Sequence, residues 1–151
     1  MTQKRIGLVL LSGGLDSTTA AAWAIADGMT VSAISFDYGQ THRRELAAAT
    51  AVAKRLRLTH KTMDVSFYRD LAAHSALTNP NGIPMPTERD TSEMADDIPS
   101  TYVPLRNTFF LTMGAAWLES AALRAIEEDR IDPGKLEATL VIAANAIDYS
   151  G

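Results

Sequence analysis

Ile6-Gly7-Leu8-Val9-Leu10-Leu11, then Ser12-Gly13-Gly14-Leu15-Asp16-Ser17, then Thr18-Thr19-Ala20-Ala21-Ala22-Trp23-Ala24-Ile25-Ala26: this order reads as strand, tight glycine turn, helix. The first run is apolar, short and bounded by charge and glycine, as a strand covered on both faces requires. The turn aims several backbone N–H groups and the positive end of a helix dipole at one point. An anion fits there, a phosphate or pyrophosphate above all. A side chain at either glycine would block close approach and resist positive φ. Asp16, Ser17 and Thr18 stand where a helix start takes its capping groups. The spacing is neither G-x-x-x-x-G-K-[ST] nor G-x-G-x-x-G, and the phosphate-binding lysine of the first pattern is missing.

Outward from this stretch, the pattern predicts strands over 5–11, 30–36 and 59–65 and helices over 16–27, ended by Gly28, and 42–57. That β-α-β-α-β rhythm belongs to an α/β protein with a doubly wound parallel sheet, here in a single domain. Ligands of such sheets bind outside the carboxyl ends of the strands, at the topological switch point, and the Gly13-Gly14 turn lies at such an end. A short helix is expected over 66–74. Residues 75–100 resist a regular reading. They hold Pro80, Pro84, Pro86 and Pro99 and an acidic second half, which suits either a solvated loop or an active-site lid or subunit contact. Pro104 suits the first turn of a long helix, in which Phe110, Met113, Trp117 and Ala121 recur at helical spacing. So apolar a helix is expected to be buried on more than one side, with Trp23 and Trp117 in the core. Pro133-Gly134 marks a break, and a last buried strand is expected over 138–144.

The 151 residues suffice for one domain with a core. A net charge of −4 makes no electrostatic case for a nucleic-acid partner, which leaves a small-molecule substrate easier to defend. With no cysteine there is no disulfide, thiolate metal site or cysteine nucleophile. No apolar run is read as reaching the ~20 residues that span a bilayer, and the first strand is too short for a signal peptide, so a cytoplasmic protein is expected.

Three further polar segments follow strands or open a helix. Asp37-Tyr38-Gly39-Gln40-Thr41-His42-Arg43 follows the second strand, where it is either a helix-capping turn or part of a site. Tyr102-Val103-Pro104-Leu105-Arg106-Asn107-Thr108 opens the long helix, and its Arg106 either neutralises a phosphate or carboxylate bidentately or is a surface charge. Asn145-Ala146-Ile147-Asp148-Tyr149-Ser150-Gly151 follows the last strand, and its Asp148 can hold a magnesium-bound water or a substrate amine. In a doubly wound sheet all of these converge on one cleft. His42 is the histidine nearest it, His60 and His74 read as ordinary surface or interface residues, and no two histidines have metal-ligand spacing.

The Ser12–Ser17 stretch resembles the SGGxDS loop of the ATP pyrophosphatases, which split ATP between the α and β phosphates. The whole series LSGGLDSTT (11–19), SFDYGQTHRRE (35–45), SALT (75–78), TYVPLRNTFFL (101–111) and NAIDYSG (145–151) resembles, in order, the 7-cyano-7-deazaguanine synthase family. The resemblance implies an adenine nucleotide alpha-hydrolase-like fold and an ATP-dependent ligase of queuosine biosynthesis. Such an enzyme turns the carboxylate of 7-carboxy-7-deazaguanine into a nitrile, with ammonia as nitrogen donor. It further implies that Leu11, Ser12, Gly13, Gly14, Leu15, Asp16, Ser17, Thr18, Thr19, Ala20 and Ala21 bind ATP, with magnesium. Asp16, Arg106 and Asp148 are the expected catalytic residues. Asp37, Tyr38, Gln40, His42, Arg106, Asn107, Asn145 and Asp148 are the expected substrate contacts, in a homodimer.

The chain departs from that family in three places. The family continues beyond this last motif and carries a four-cysteine zinc site, whereas this chain stops at Gly151 and has no cysteine. Ile142-Ala143-Ala144 stands where Ile-Gly-Val is usual, and the stretch from Leu123 to Glu137 is longer than the usual connection. Two expectations follow. One is an active ligase, alone or with a missing C-terminal partner. The other is an ATP-binding relative without stand-alone activity, such as a regulatory subunit. A pyrophosphate-loop ligase acting on another acid is a third.

Overall fold

In a computed structural model, the structure describes residues 3–37, 43–68 and 105–144. Four strands, β1 (Lys4–Leu10), β2 (Thr30–Asp37), β3 (Thr59–Asp64) and β4 (Leu136–Val141), form one parallel sheet in the order β3-β2-β1-β4. The helices are α1 (Leu15–Ala26), α2 (Arg43–Leu56) and α3 (Arg106–Glu127), and a 3-10 turn covers Pro133–Lys135. The chain steps outward from β1 to β2 and β3, then returns to the other side of β1. The strand order therefore reverses at β1.

Side chains of β1 and β2 alternate between two packed faces, so each face carries apolar residues, although β2 also holds Ser32 and Ser35. Leu8, Leu10, Ile34 and Phe36 point to one face and pack with Leu118, Phe109, Phe110 and Trp117 of α3. Val9, Val31 and Ala33 point to the other and pack with Ala21 and Ala24 of α1 and Ala49 and Ala53 of α2. Both faces are dry, so neither strand has a polar side to show. The alanines bring α1 and α2 close to the sheet, whereas the aromatic α3 face stacks: the rings of Phe36 and Phe110 lie 4.4 Å apart and nearly parallel. Gly114 seats α3, because a Cβ there would stand 3.1 Å from Leu10 Cδ2 and Leu140 Cδ1. Those contacts are ends of side chains that can give. Gly114→Ala is expected to be close to neutral, because about 1 kcal/mol of helix propensity offsets the crowding. Gly114→Leu is expected to cost roughly 2 kcal/mol, read from urea unfolding.

At the amino ends of the strands Arg5 is the hub. It donates to both Glu137 carboxylate oxygens at 3.0 Å and to Asp27 Oδ2 at 2.8 Å. It also donates to the Asp27 carbonyl at the end of α1, where a cation suits the helix dipole. The Arg5 hydrogen bonds hold the Glu137 carboxyl below its ordinary 4.5. Its contribution is complete above that ordinary value and is lost as pH falls through the depressed folded one. The stability gap between wild type and Arg5→Gln is thus expected to be a small one at neutral pH, since the pair is solvent-screened, and to close below about pH 4.5 in urea unfolding.

The fold is the expected α/β sheet, with local corrections. The last strand runs over Leu136–Val141, not 138–144, because Leu136 and Glu137 pair in register with Lys4 and Arg5 while residues 142–144 have left the ladder. Trp23 is not core: α1 buries Ser17, Ala21 and Ala24, and Trp23 lies off that stripe, 54% exposed. Trp117 does pack against the core as a partly buried side chain. One stripe of the long helix, Gly114, Leu118 and Ala125, is buried, and Leu123 is half exposed. By length and composition alone this 22-residue helix is long and apolar enough to cross a membrane, contrary to the reading of the sequence; its Gly114 seats on Leu10 of β1 and Leu140 of β4. Residues 69–74 of the expected short helix, all of 75–100 and Pro104 lie outside the described residues.

Candidate nucleotide site

β1 ends, Leu11 and Ser12 follow, and Gly13 turns the chain at φ 86° into α1. A Cβ on Gly13 would stand 2.4 Å from Ala49 N and 2.8 Å from the Glu45 carbonyl oxygen, so the loop lies directly on the α2 backbone. Gly14 is the N-cap residue of α1, and no side chain caps the helix. This corrects the expected capping roles. The Thr18 hydroxyl donates to the Gly14 carbonyl at 2.8 Å, as does Ser17 Oγ at 3.2 Å, and Asp16 caps nothing. A helix leaves its first amides without intrahelical partners. Here they stay available to a ligand beside the positive end of the dipole.

Two serines hold the loop in shape. Ser17, only 4% exposed, accepts from the Ser12 N–H at 3.3 Å, and the two hydroxyls lie 3.0 Å apart. Gly14 N–H reaches Ser12 Oγ at 3.4 Å.

The loop borders a cleft of about 300 Å³ at the carboxyl ends of β1, β2 and β4, beside the point where the strand order reverses. Of the residues expected to bind ATP, Leu11, Ser12, Asp16 and Ser17 line it. Ala21 is fully buried under α1, Leu15 is 81% exposed, and the Thr19 hydroxyl turns back to the Leu15 carbonyl. Arg106 and Asn107 arrive from the first turn of α3, joined by a 3.4 Å bond from Arg106 Nε to Asn107 Oδ1. They follow Leu105, whose φ of 51° is a left-handed conformation unusual for a leucine and turns the chain into the helix. Asp37 closes β2, where its carbonyl accepts from Val65 N–H at 2.7 Å, and it does not line the cleft among the described walls. Tyr38, Gln40, His42, Asn145 and Asp148 lie outside the described residues.

The reading of single residues missed Ser35, Phe36, Glu45, Ile142 and Ala143, which also line the cleft. Ser35, Phe36 and Glu45 stand inside the quoted SFDYGQTHRRE motif, and Ile142 and Ala143 sit just where a strand end meets a switch point. That rule of place was the signal available for them. His60 is not an ordinary surface histidine: it is half buried and its Nε2 lies 2.8 Å from Ser35 Oγ. Burial pushes its pKa down.

Residues 6–129 match the family described as Queuosine biosynthesis protein QueC. The 7-cyano-7-deazaguanine synthase of Thermoplasma acidophilum is 42% identical over 149 residues, 99% of this chain and 55% of that protein. The chain belongs to the QueC family. The 7-cyano-7-deazaguanine synthase of Thermosynechococcus vestitus is likewise 42% identical over 151 residues, 57% of its own length. The chain thus spans a little over half the length of these QueC relatives. Its parallel sheet is the adenine nucleotide alpha-hydrolase-like core of that family, and the loop and cleft walls from β1, β2 and α3 fall inside the QueC match.

Proposed function

We propose that this chain binds ATP at the Ser12–Ser17 loop and serves a 7-cyano-7-deazaguanine synthase reaction. The observation that carries this reading is the uncapped amino end of α1, placed by Gly13 and Gly14 at the switch point of a QueC-family sheet. The donor set fits a polyphosphate: first-turn amides and Arg106 are on or beside the cleft. A Cβ on Gly14 would meet only Ser12 Oγ, at 3.6 Å, so there is open space beside this N-cap residue.

A carboxylate is a poor electrophile. ATP activates it as an acyl adenylate with release of pyrophosphate, and ammonia displaces AMP to give the amide. A second activation, on the amide oxygen, lets that oxygen leave and the nitrile form. The protein's part is positioning and charge stabilisation. Arg106 takes up negative charge on phosphate or carboxylate, and Asn107 beside it contacts the substrate. Asp16 and Glu45, which both line the cleft, would hold magnesium, which would supply charge neutralisation for the phosphates. Among the described residues no three His, Asp or Glu side chains gather as a metal site. These 151 residues hold no cysteine, so they supply none of the family's four zinc ligands. Asp37, Tyr38, Gln40, His42, Asn145 and Asp148 complete the proposed substrate contacts. The partners are small molecules, the setting cytoplasmic and the assembly a homodimer.

The test is incubation with ATP, ammonia and 7-carboxy-7-deazaguanine. The proposal expects nitrile product with AMP and pyrophosphate. ATP binding without product would favour the ATP-binding relative that needs a further partner, and product from another acid would favour the third expectation.

A further inference from the structure

The edge strand β3 reaches the phosphate loop through a line of hydrogen bonds. Ser35 sits on the α1–α2 face of β2, flanked on that face by Ala33, and is 3% exposed. A hydroxyl so buried has to be satisfied. It has one proton to give and lone pairs to accept with. Ser35 Oγ lies 2.5 Å from the Leu11 carbonyl oxygen and 2.8 Å from His60 Nε2. The carbonyl can only accept, so the Ser35 proton goes to Leu11. His60 must then donate, which fixes the proton on Nε2.

The Leu11 carbonyl and the Ser12 N–H belong to one planar peptide unit. Its carbonyl end takes the Ser35 hydroxyl, and its N–H end donates to Ser17 Oγ in the first turn of α1 at 3.3 Å. Leu11 N–H is also tied to β2, donating to the Ile34 carbonyl at 2.8 Å. Rotation of that one plane would move Ser12, and with it both serine hydroxyls that shape the loop. Ser35, Leu11, Ser12 and Ser17 all line the cleft, whereas His60 stands behind it.

We infer that His60 is a positioning residue for the nucleotide: its Nε2–H orients the Ser35 hydroxyl, which clamps the Leu11–Ser12 peptide and so sets the loop. This rests on the reading of Ser12–Ser17 as the ATP site. A mere staple between β3 and β2 would affect stability and leave affinity alone.

The experiment is calorimetric titration of ATP into the whole chain and its variants, with urea unfolding of each. His60→Ala and His60→Asn, whose arm is too short, are expected to weaken ATP about 5-fold, the size of one hydrogen bond. His60→Gln, with a donor at comparable reach, is expected to stay within about 2-fold of wild type. Ser35→Ala combined with His60→Ala is expected to be no weaker than Ser35→Ala alone, since both cut one line. Unchanged affinity in both His60→Ala and His60→Asn overturns the inference, as do losses that multiply in the double variant or a Gln variant as weak as Ala. A wild type that binds no ATP overturns the nucleotide reading and this inference together.

Discussion

Gly13→Ala is expected to destabilise the protein by roughly 3 kcal/mol, seen as a fall in the urea midpoint at unchanged slope. Two costs add. At φ 86° an L side chain pays the left-handed backbone penalty of about 1 kcal/mol. The added Cβ would also stand 2.4 Å from Ala49 N, 2.8 Å from the Glu45 carbonyl oxygen and 2.9 Å from Ala48 C. These are backbone atoms inside α2 and cannot rotate away, so α2 or the loop must shift, a further roughly 2 kcal/mol. Glu45 and Leu46 of α2 line the cleft, so the shift would damage the site along with the fold. Affinity for ATP falls in this variant, but only as a consequence of lost structure.

Gly14→Val separates binding from folding. Gly14 has φ −74° and ψ 170°, ordinary extended backbone that valine adopts readily. The nearest atom to its would-be Cβ is Ser12 Oγ at 3.6 Å. The expected stability loss is therefore at most about 1 kcal/mol, the difference between glycine and valine at an N-cap. ATP affinity is expected to fall about 100-fold, because an isopropyl group would occupy the space before the first-turn amides and remove one or two charge-assisted hydrogen bonds. The adjacent glycines thus do different things: Gly13 lets the loop lie on α2, and Gly14, on the proposed function, keeps room for the phosphate. A Gly14→Val protein that bound ATP as tightly as wild type would place the nucleotide elsewhere.

The architecture is legible because the apolar run of β1 and the partly alternating β2 are each followed by a helical pattern, which is the rhythm of a parallel sheet covered on both faces. The bounds of β4 differ from the expected ones because Ile142, Ala143 and Ala144 prolong its apolar run after the ladder has ended, while Glu137, which binds Arg5, interrupts that run at its second residue. Trp23 read as core on size alone, although the buried stripe Ser17-Ala21-Ala24 excludes its position. The glycine turn between β1 and α1 was legible because glycines, a strand end and a helix start coincide. The caps were misread: Ser17 and Thr18 have the right chemistry for capping but stand one turn too late, and bond back to Gly14 instead. Ser35 and His60 were invisible singly, since a serine and a histidine 25 residues apart meet only through the register of β2 and β3.

The central claim is that phosphate binds at the uncapped start of α1. Its most direct test is a nuclear magnetic resonance titration of the labelled chain with ATP, following backbone amides. The account predicts saturable shifts, largest at Gly14, Leu15, Asp16 and Ser17, which are lost in Gly14→Val. Saturable binding that leaves those four amides unmoved, or an unaltered response in Gly14→Val, would contradict it.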